Sequence, residues 1–474
     1  RVDRGDHSVA AMKILVTGAG GYVGRHLVPL LLRAGHDVRC LTRRPERVHS
    51  PSRALWVRGD VRDRESLARA LQGIEVAYYL IHSMEKDRDD SRSFAVRDRE
   101  AAGNFAAAAA AAGLQRIVYL GGLGDTRHAL SPHLASRIEV GNILQRGDVP
   151  ATVFRAAIVV GPWGSSFQMI QGLVERLPVM ITPRWVETPC QPIALRDVLF
   201  YLTGCLDVPE TVGATFDIGG PDVLSYREMM MRFAEILDRR RIIIGVPVLT
   251  PRLSSYWVNL VTPIPASLAR PLIDGLRHPV VCLDHAIERL MPHECLGYED
   301  SVRRALEEQG IGSIRRVDSG YCLQWRQWVD CSPEEAMEFF ASPENLLPLT
   351  PPNLRFELMP PYPPRLSVGT QLDYRLRVFG VPLRWTSEIT SWDAPSGFQD
   401  IQVRGPYRSW IHDHTFKDYA YGTRMHDSVR YAVPLSWPGR AAHALVIGRE
   451  LRRIFRFRSR QFHRLLSLSD QPRS

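Results

Sequence analysis

Apolar positions in the first three hundred residues follow two alternating rhythms. Ile14, Leu15 and Val16 form a short continuous apolar run, the pattern of a strand buried on both faces. From Tyr22 the spacing turns helical, with Val23, Leu27, Leu30 and Leu31 returning to one side. Residues 37–42, 54–57, 76–81, 116–120 and 151–155 read as further strands. Between them, 91–112 and 131–145 read as helices, the first closed by Gly113, a residue that ends helices readily. Strands alternating with helices predict parallel βαβ units in a doubly wound α/β sheet, with ligands at the carboxyl ends of the strands.

The rhythm changes near Gly310. Residues 323–329 read as a strand, and Ser332-Pro333-Glu334-Glu335 has the form of a capping box opening a short helix over 336–340. Period-two segments follow: Leu372, Tyr374, Leu376 and Val378; Leu383, Trp385 and Ile389; Trp410, His412, His414 and Phe416; Met425, Val429, Tyr431 and Val433. Turn residues at 393–397 separate two of them. This predicts an antiparallel meander. A closing helix places Leu451, Ile454, Phe455, Phe462, Leu465 and Leu466 on one side and Arg449, Arg452, Arg453, Arg456, Arg460 and Arg464 on the other. The expected organisation is an extension over 1–11, an α/β domain over 12–309, a polar, glycine-bearing linker over 310–320, and an α+β domain over 321–470.

Composition changes this picture little. The chain has 474 residues, 45% hydrophobic and 23% charged, ordinary values for folded domains. Seven scattered cysteines without a C-x-x-C pair argue for a reducing, cytoplasmic setting and against a disulfide scaffold or cysteine zinc site. Residues 1–11 lack the apolar stretch of a signal peptide and precede a Met12-Lys13 that reads as a natural start. No run of 18 apolar residues predicts a spanning helix. The net charge of +9 is almost all arginine, lysine occurring only at 13, 86 and 417. It demands no nucleic-acid partner, and none is expected. The arginine-faced closing helix permits peripheral contact with an anionic membrane.

The candidate chemistry starts at T-G-A-G-G-Y-V-G, residues 17–24. Strand, glycine turn and helix stand in the order that lets a pyrophosphate rest on bare backbone at a helix N-terminus. Thr17, Gly18, Gly20, Gly21, Tyr22, Val23 and Gly24 are therefore the expected cradle. The second strand ends at Thr42-Arg43-Arg44, with no carboxylate for the ribose 2′-hydroxyl of NAD. Arginine suits a 2′-phosphate, so NADP(H) is favoured over NAD(H); plain surface charge is the alternative for both arginines. Asp60 and Val61 are expected beside the adenine. Ile81, His82 and Ser83 are expected on the rim beyond the fourth strand.

The residues from Met12 to about Gln309 resemble the atypical, extended branch of the short-chain dehydrogenase/reductase superfamily, in particular NmrA-like proteins and relatives of the nucleotide-binding accessory subunit of respiratory complex I. The resemblance rests on the glycine turn, Gly59-Asp60-Val61, Y-Y-L-I-H-S-M (78–84), V-V-G-P (159–162), Arg196-Asp197-Val198 and F-D-I-G-G-P (216–221). It implies a Rossmann sheet, a bound NAD(P) and a small substrate-side lobe over 239–309. The superfamily's usual catalytic set is a serine after the fifth strand and a Tyr-x-x-x-Lys pair one helix later. Here that strand ends Leu120-Gly121-Gly122, and His133 and Arg137 hold the paired spacing. One helix face carries both. His133 can donate a proton, whereas Arg137 keeps its charge and can only hold an anion or ribose. Cradling the cofactor without acid–base work is the alternative for the pair. His82 is a further candidate for contact with nicotinamide or substrate.

The strands and closing helix of 321–468, with G-P-Y-R-S-W-I-H-D-H-T-F at 405–416, resemble the START-like, SRPBCC or helix-grip family. That resemblance implies an apolar cavity under the last helix, for which Trp385, Tyr407, Trp410, His412 and His414 are the candidate lining residues. An ordinary core with buried histidines is the alternative. No metal is expected, because His412 and His414 lack a located carboxylate partner, and His426 is only a conceivable third ligand. The combined expectation is an NADP(H)-dependent oxidoreductase acting on a hydrophobic carbonyl or quinone-like small molecule. The other reading is a non-catalytic nucleotide sensor or assembly factor, favoured by the missing catalytic set.

Overall fold

The computed structural model describes residues 11–45, 54–81, 94–124, 127, 130–246, 274, 278–329, 331–378, 380–419, 422–434, 439 and 443–466. The chain divides into two compact units, Arg1–Arg303 and Arg304–Ser474.

The first unit begins with β1 (Lys13–Thr17), α1 (Gly24–Arg33), β2 (Asp37–Thr42) and β3 (Leu55–Arg58). Next come α2 (Arg64–Leu71), β4 (Val76–Tyr79), α3 (Phe94–Ala111), β5 (Arg116–Gly122), α4 (Pro132–Gln145) and β6 (Ala151–Ala156). The connections carry β7 (Val159–Val160), β8 (Val179–Pro183), β9 (Pro189–Cys190) and β10 (Ile193–Ala194) before β11 (Thr215–Ile218), then β12 (Leu224–Ser225) and β13 (Ile242–Val246). Seven strands form one sheet in the order β11-β6-β5-β4-β1-β2-β3, every pair parallel. The short strands pair β7 with β10, β9 with β12 and β8 with β13. Both faces of the large sheet are covered. Ile14, Val16 and Tyr78 pack on one side with Leu27, Leu31 and Leu202; Leu15, Ala77 and Tyr79 pack on the other with Leu67 and Phe105. This accounts for the unbroken apolar runs: all seven residues of β5 are buried. The strand order reverses between β1 and β4, which opens a crevice at their carboxyl ends. The expected doubly wound sheet is thus what forms.

The second unit is one antiparallel eight-stranded sheet with helices packed on it. Its strands are β14 (Ile311–Val317), β15 (Gly320–Val329), β16 (Glu357–Leu358), β17 (Gln371–Val378), β18 (Val381–Asp393), β19 (Gly397–Arg404), β20 (Ser409–Tyr419) and β21 (Gly422–Ala432). They are ordered β14-β15-β21-β20-β19-β18-β17-β16. The capping box forms as read: the Ser332 side chain accepts from the Glu335 N–H and the Glu335 carboxylate from the Ser332 N–H, starting helix Pro333–Ala341. The closing helix Gly448–Leu466 buries Leu451, Phe455 and Phe462, with Arg449, Arg452, Arg453, Arg456 and Arg460 exposed.

One expectation is corrected. Residues 311–317, read as a linker, are the edge strand β14, paired with β15 from Ile311↔Arg326 to Val317↔Gly320. An edge strand faces water along one margin and tolerates the polar composition that suggested a connector. Gly312 sits so close under the Trp325 ring that a side chain there would overlap it.

Candidate nucleotide site and a buried histidine–aspartate cluster

The candidate nucleotide crevice is assembled by Thr17 and four glycines. Thr17 is fully buried; its hydroxyl donates to the Tyr78 carbonyl at 3.1 Å and accepts from the Leu80 N–H at 3.2 Å, locking β1 to β4. Gly18 has φ +70°, and a Cβ there would stand 2.5 Å from the Leu80 carbonyl oxygen. A Cβ on Gly24 would overlap the Gly18 carbonyl, which itself accepts from the Gly21 N–H at 2.8 Å. Gly20 differs, since a Cβ there would meet no protein atom within 4 Å. Its lack of a side chain leaves the outer side of the turn bare. The first turn of α1 has no side-chain cap from Val23, whereas α2 and α4 are capped by Asp63 and Ser131. A helix start without such a cap suits an anion.

Around this turn the Tyr22 ring lies against Gly161 and Gly164, with the Arg25 guanidinium 5.6 Å from the centre of its ring and 5.7 Å from that of Trp163. Arg43 and Arg44 are exposed at the carboxyl end of β2. Val61 is buried and Ile81 half-buried. Asp60 pairs with Arg62 at 3.1 Å. Burial raises the pKa of its carboxyl, but the Arg62 hydrogen bonds outweigh this, aided by the charge of Arg43, and hold it below the ordinary value. His82 and Ser83 lie outside the described residues, as does 247–273 of the expected substrate lobe.

Where the usual catalytic set would stand, α4 presses closely on β5. The Arg137 guanidinium donates to the Leu120 carbonyl at 2.7 Å, and the Tyr119 hydroxyl donates to the Arg137 carbonyl at 3.0 Å. A Cβ on Gly122 would be 3.2 Å from Leu134 and 3.3 Å from Arg137, which leaves little room for a serine. His133 is half-buried one turn earlier in α4. Two other motif carboxylates are tied down. Asp197 accepts from Arg196, His293 and the Leu296 N–H at 2.7, 2.8 and 2.9 Å. Asp217 accepts from Arg155 at 2.7 Å and from the Leu283 N–H at 3.0 Å. Asp197, on the helix Leu195–Gly204, and Asp217, on β11, both fasten the chain beyond residue 280 to the rest of the unit.

In the second unit the five candidate lining residues share one region. Trp385, Tyr407 and Trp410 form an aromatic cluster, with ring centres 5.0–5.7 Å apart. Trp410 meets His412 edge-on at 6.3 Å, and the His412 and His414 rings are 3.7 Å apart. Two carboxylates that the sequence reading missed complete the group. Asp400 on β19 stands opposite His412, and Asp427 on β21 stands opposite His414. Asp400 Oδ2 is 3.5 Å from His412 Nδ1 and 3.2 Å from His414 Nε2. Asp427 Oδ1 is 3.1 Å from His412 Nε2 and 2.7 Å from His414 Nδ1, the latter without hydrogen-bond alignment.

Electrostatics divide the pair. Burial opposes charge on both rings, but the two carboxylates raise the pKa of His414, while burial and the charge of His414 lower that of His412. Burial opposes charge at Asp427, but the His412 hydrogen bond and the close approach of both imidazoles outweigh it and hold that carboxyl far below the ordinary range. His426, the conceivable third ligand, pairs with Thr415 one position out of phase. A one-residue offset in a strand points to the other face, so its place is taken by Asp427. Asp427 falls in step with Met425, Val429 and Tyr431, and that in-phase acid among apolar residues was the available signal.

The parallel sheet, its reversal at β1 and β4, and the bare glycine turn define the first unit as a dinucleotide-binding protein of the Rossmann class. Residues 18–150 match a protein-family model described as NAD(P)H-binding. The chain is 28% identical over 228 residues to a (4-alkanoyl-5-oxo-2,5-dihydrofuran-3-yl)methyl phosphate reductase of Streptomyces griseus, spanning 48% of this chain and 74% of that protein. It is 26% identical over 211 residues to photosystem II assembly factor Ycf39 of Trieres chinensis, spanning 44% of this chain and 64% of that protein. In fold it is similar to a nucleoside-diphosphate-sugar epimerase of Staphylococcus aureus, at 16% identity and a TM-score of 0.51, over 62% of this chain and all of that one. These findings show that the first unit is similar to NAD(P)H-binding proteins in sequence and has the fold of the epimerase. Among the described residues no helix is long and apolar enough to cross a membrane.

Proposed function

We propose that this protein is an NADP(H)-dependent reductase of hydrophobic carbonyl or quinone-like small molecules. The observation that carries the reading is the turn at 17–24, closed to side chains by its own backbone on the inside and bare at Gly20 on the outside. The nicotinamide supplies hydride chemistry when bound; the chain supplies position. Arg43 and Arg44, beside the β2 terminus, bind the 2′-phosphate. His133 is the residue assigned to proton donation. Arg137 is a positioning residue, its guanidinium held by the Leu120 carbonyl and its charge permanent. The second unit is a START-like module for an apolar ligand, lined by Trp385, Tyr407 and Trp410.

Tryptophan-fluorescence titration with NADPH and NADH tests the cofactor. NADPH binds more tightly, and Arg43→Ala removes about tenfold of that advantage, the worth of one charge-assisted hydrogen bond. A preference for NADH refutes the assignment. Loss of nicotinamide absorbance with a panel of quinones and apolar carbonyls tests the reaction, and His133→Ala lowers the rate if His133 is the donor. A second reading, a nucleotide-binding assembly or sensor protein, is favoured by the absent Ser and Tyr-x-x-x-Lys set and by the similarity to Ycf39. It predicts NADPH binding without turnover across the panel.

A further inference from the structure

Two groups of potential metal ligands come together among the described residues: Asp197 with His293 and Cys295, and Asp400 with His412 and His414. In the first, Asp197 already accepts three hydrogen bonds, and burial pushes the Cys295 thiol up to about 11, so neither offers a ready ligand.

The second is built differently. His412 Nδ1 and His414 Nε2 both approach Asp400 Oδ2, while the remaining nitrogen of each ring contacts Asp427 Oδ1. We propose that Asp400, His412 and His414 bind a first-row divalent transition-metal ion, zinc or iron(II), and that Asp427 orients the two imidazoles from behind. The proposal is independent of the nicotinamide reading.

The two separations to Asp400 fit, and all three ligand atoms lie within 4.8 Å of one another. Ligand atoms of a tetrahedral ion with bonds of about 2.1 Å lie about 3.4 Å apart, and the two contacts to Asp400 Oδ2 are 3.2 and 3.5 Å. The scaffold is rigid, because Asp400, His412, His414 and Asp427 stand on three adjacent strands in directly opposed pairs. Apolar rings enclose them: Phe398 stacks 4.0 Å from His414, and Phe340 and Phe455 approach to 5.3 and 5.7 Å. A carboxylate behind a ligating histidine fixes its tautomer and strengthens it as a donor. The charge also closes, since two carboxylates and two neutral imidazoles balance one divalent cation. Two nitrogen donors disfavour magnesium and calcium. Three protein ligands leave a position for water or substrate, as at reactive rather than structural sites. Asp400, with 17% of its side chain exposed against 6% or less for the other three, marks the solvent side.

The test uses the full chain, stripped with a chelator, loaded with zinc or cobalt(II) alone, desalted and assayed for metal. Wild type retains one ion per chain, and its cobalt form shows visible d–d absorption and imidazole ligands by X-ray absorption. The His412→Gln/His414→Gln double variant retains at least tenfold less. Asp427→Asn binds about 10–100-fold more weakly, and His293→Gln binds as wild type does. Wild type that retains neither ion, or a cobalt spectrum without imidazole ligands, overturns the proposal whether or not the variants fold. Equal retention by the double variant, or loss in His293→Gln, overturns it as well.

Discussion

At Gly18 an added methyl group would be strained twice, by φ +70° and by the Leu80 carbonyl 2.5 Å away. A left-handed backbone alone costs a non-glycine residue about 1–2 kcal/mol, so Gly18→Ala lowers the melting temperature of the first unit as well as abolishing NADPH binding. Gly20→Ala separates the two effects. With no protein atom within reach, it leaves melting unchanged and weakens NADPH about tenfold, or 1.4 kcal/mol. Unchanged affinity in that variant would move the dinucleotide off this turn. His36 gives a pH signature. Its Nδ1 accepts the Met12 N–H at 3.3 Å, and burial lowers its pKa against the opposing charge of Asp207. The unfolded chain therefore takes up the proton first. The stability His36 confers is complete above about pH 6.5 and is lost as pH falls through the depressed folded value. Melting of the first unit followed from pH 8 to 5 shows this slope, and His36→Gln flattens it.

At the level of elements, the closing helix is held by more than its apolar stripe. Ser459 is buried among Phe455 and Phe462; its hydroxyl accepts from Trp325 Nε1 at 2.7 Å and donates to the Phe455 carbonyl at 3.1 Å. Ser459→Ala leaves the buried indole N–H without that acceptor, which costs about 1–3 kcal/mol, read as a lower urea midpoint for the second unit. Local signals were legible where one element carried its own reason. The capping box at Ser332, the glycine turn and the 3.6-residue spacing of Leu451, Phe455 and Phe462 all appear as read. Partnership between elements was not legible. Residues 311–317 look like a connector until β15 is beside them, and Asp400 and Asp427 acquire meaning only when the register of β19, β20 and β21 sets them opposite His412 and His414.

For the whole molecule, each unit has its own buried clusters: Leu15, Tyr78 and Phe105 belong to those of the first, and Trp325, Phe340 and Phe462 to those of the second. Separate cores predict two calorimetric transitions. NADPH at a hundred times its dissociation constant stabilises the unit that binds it by about 2.7 kcal/mol, so it raises one transition. A single transition under all conditions would contradict this division.

The sequence by itself determined the first six strands of the first unit, their parallel character and the phosphate turn, because apolar period, glycine geometry and helix capping act within a few residues. It also marked His412 and His414 as sharing a face. Only the tertiary structure decided that α4 sits hard against β5 at Gly122, that residues 311–317 close the second sheet's edge, and that two carboxylates complete the histidine pair. Those facts depend on strand register and on close approach between elements distant in the chain, and no local pattern encodes either.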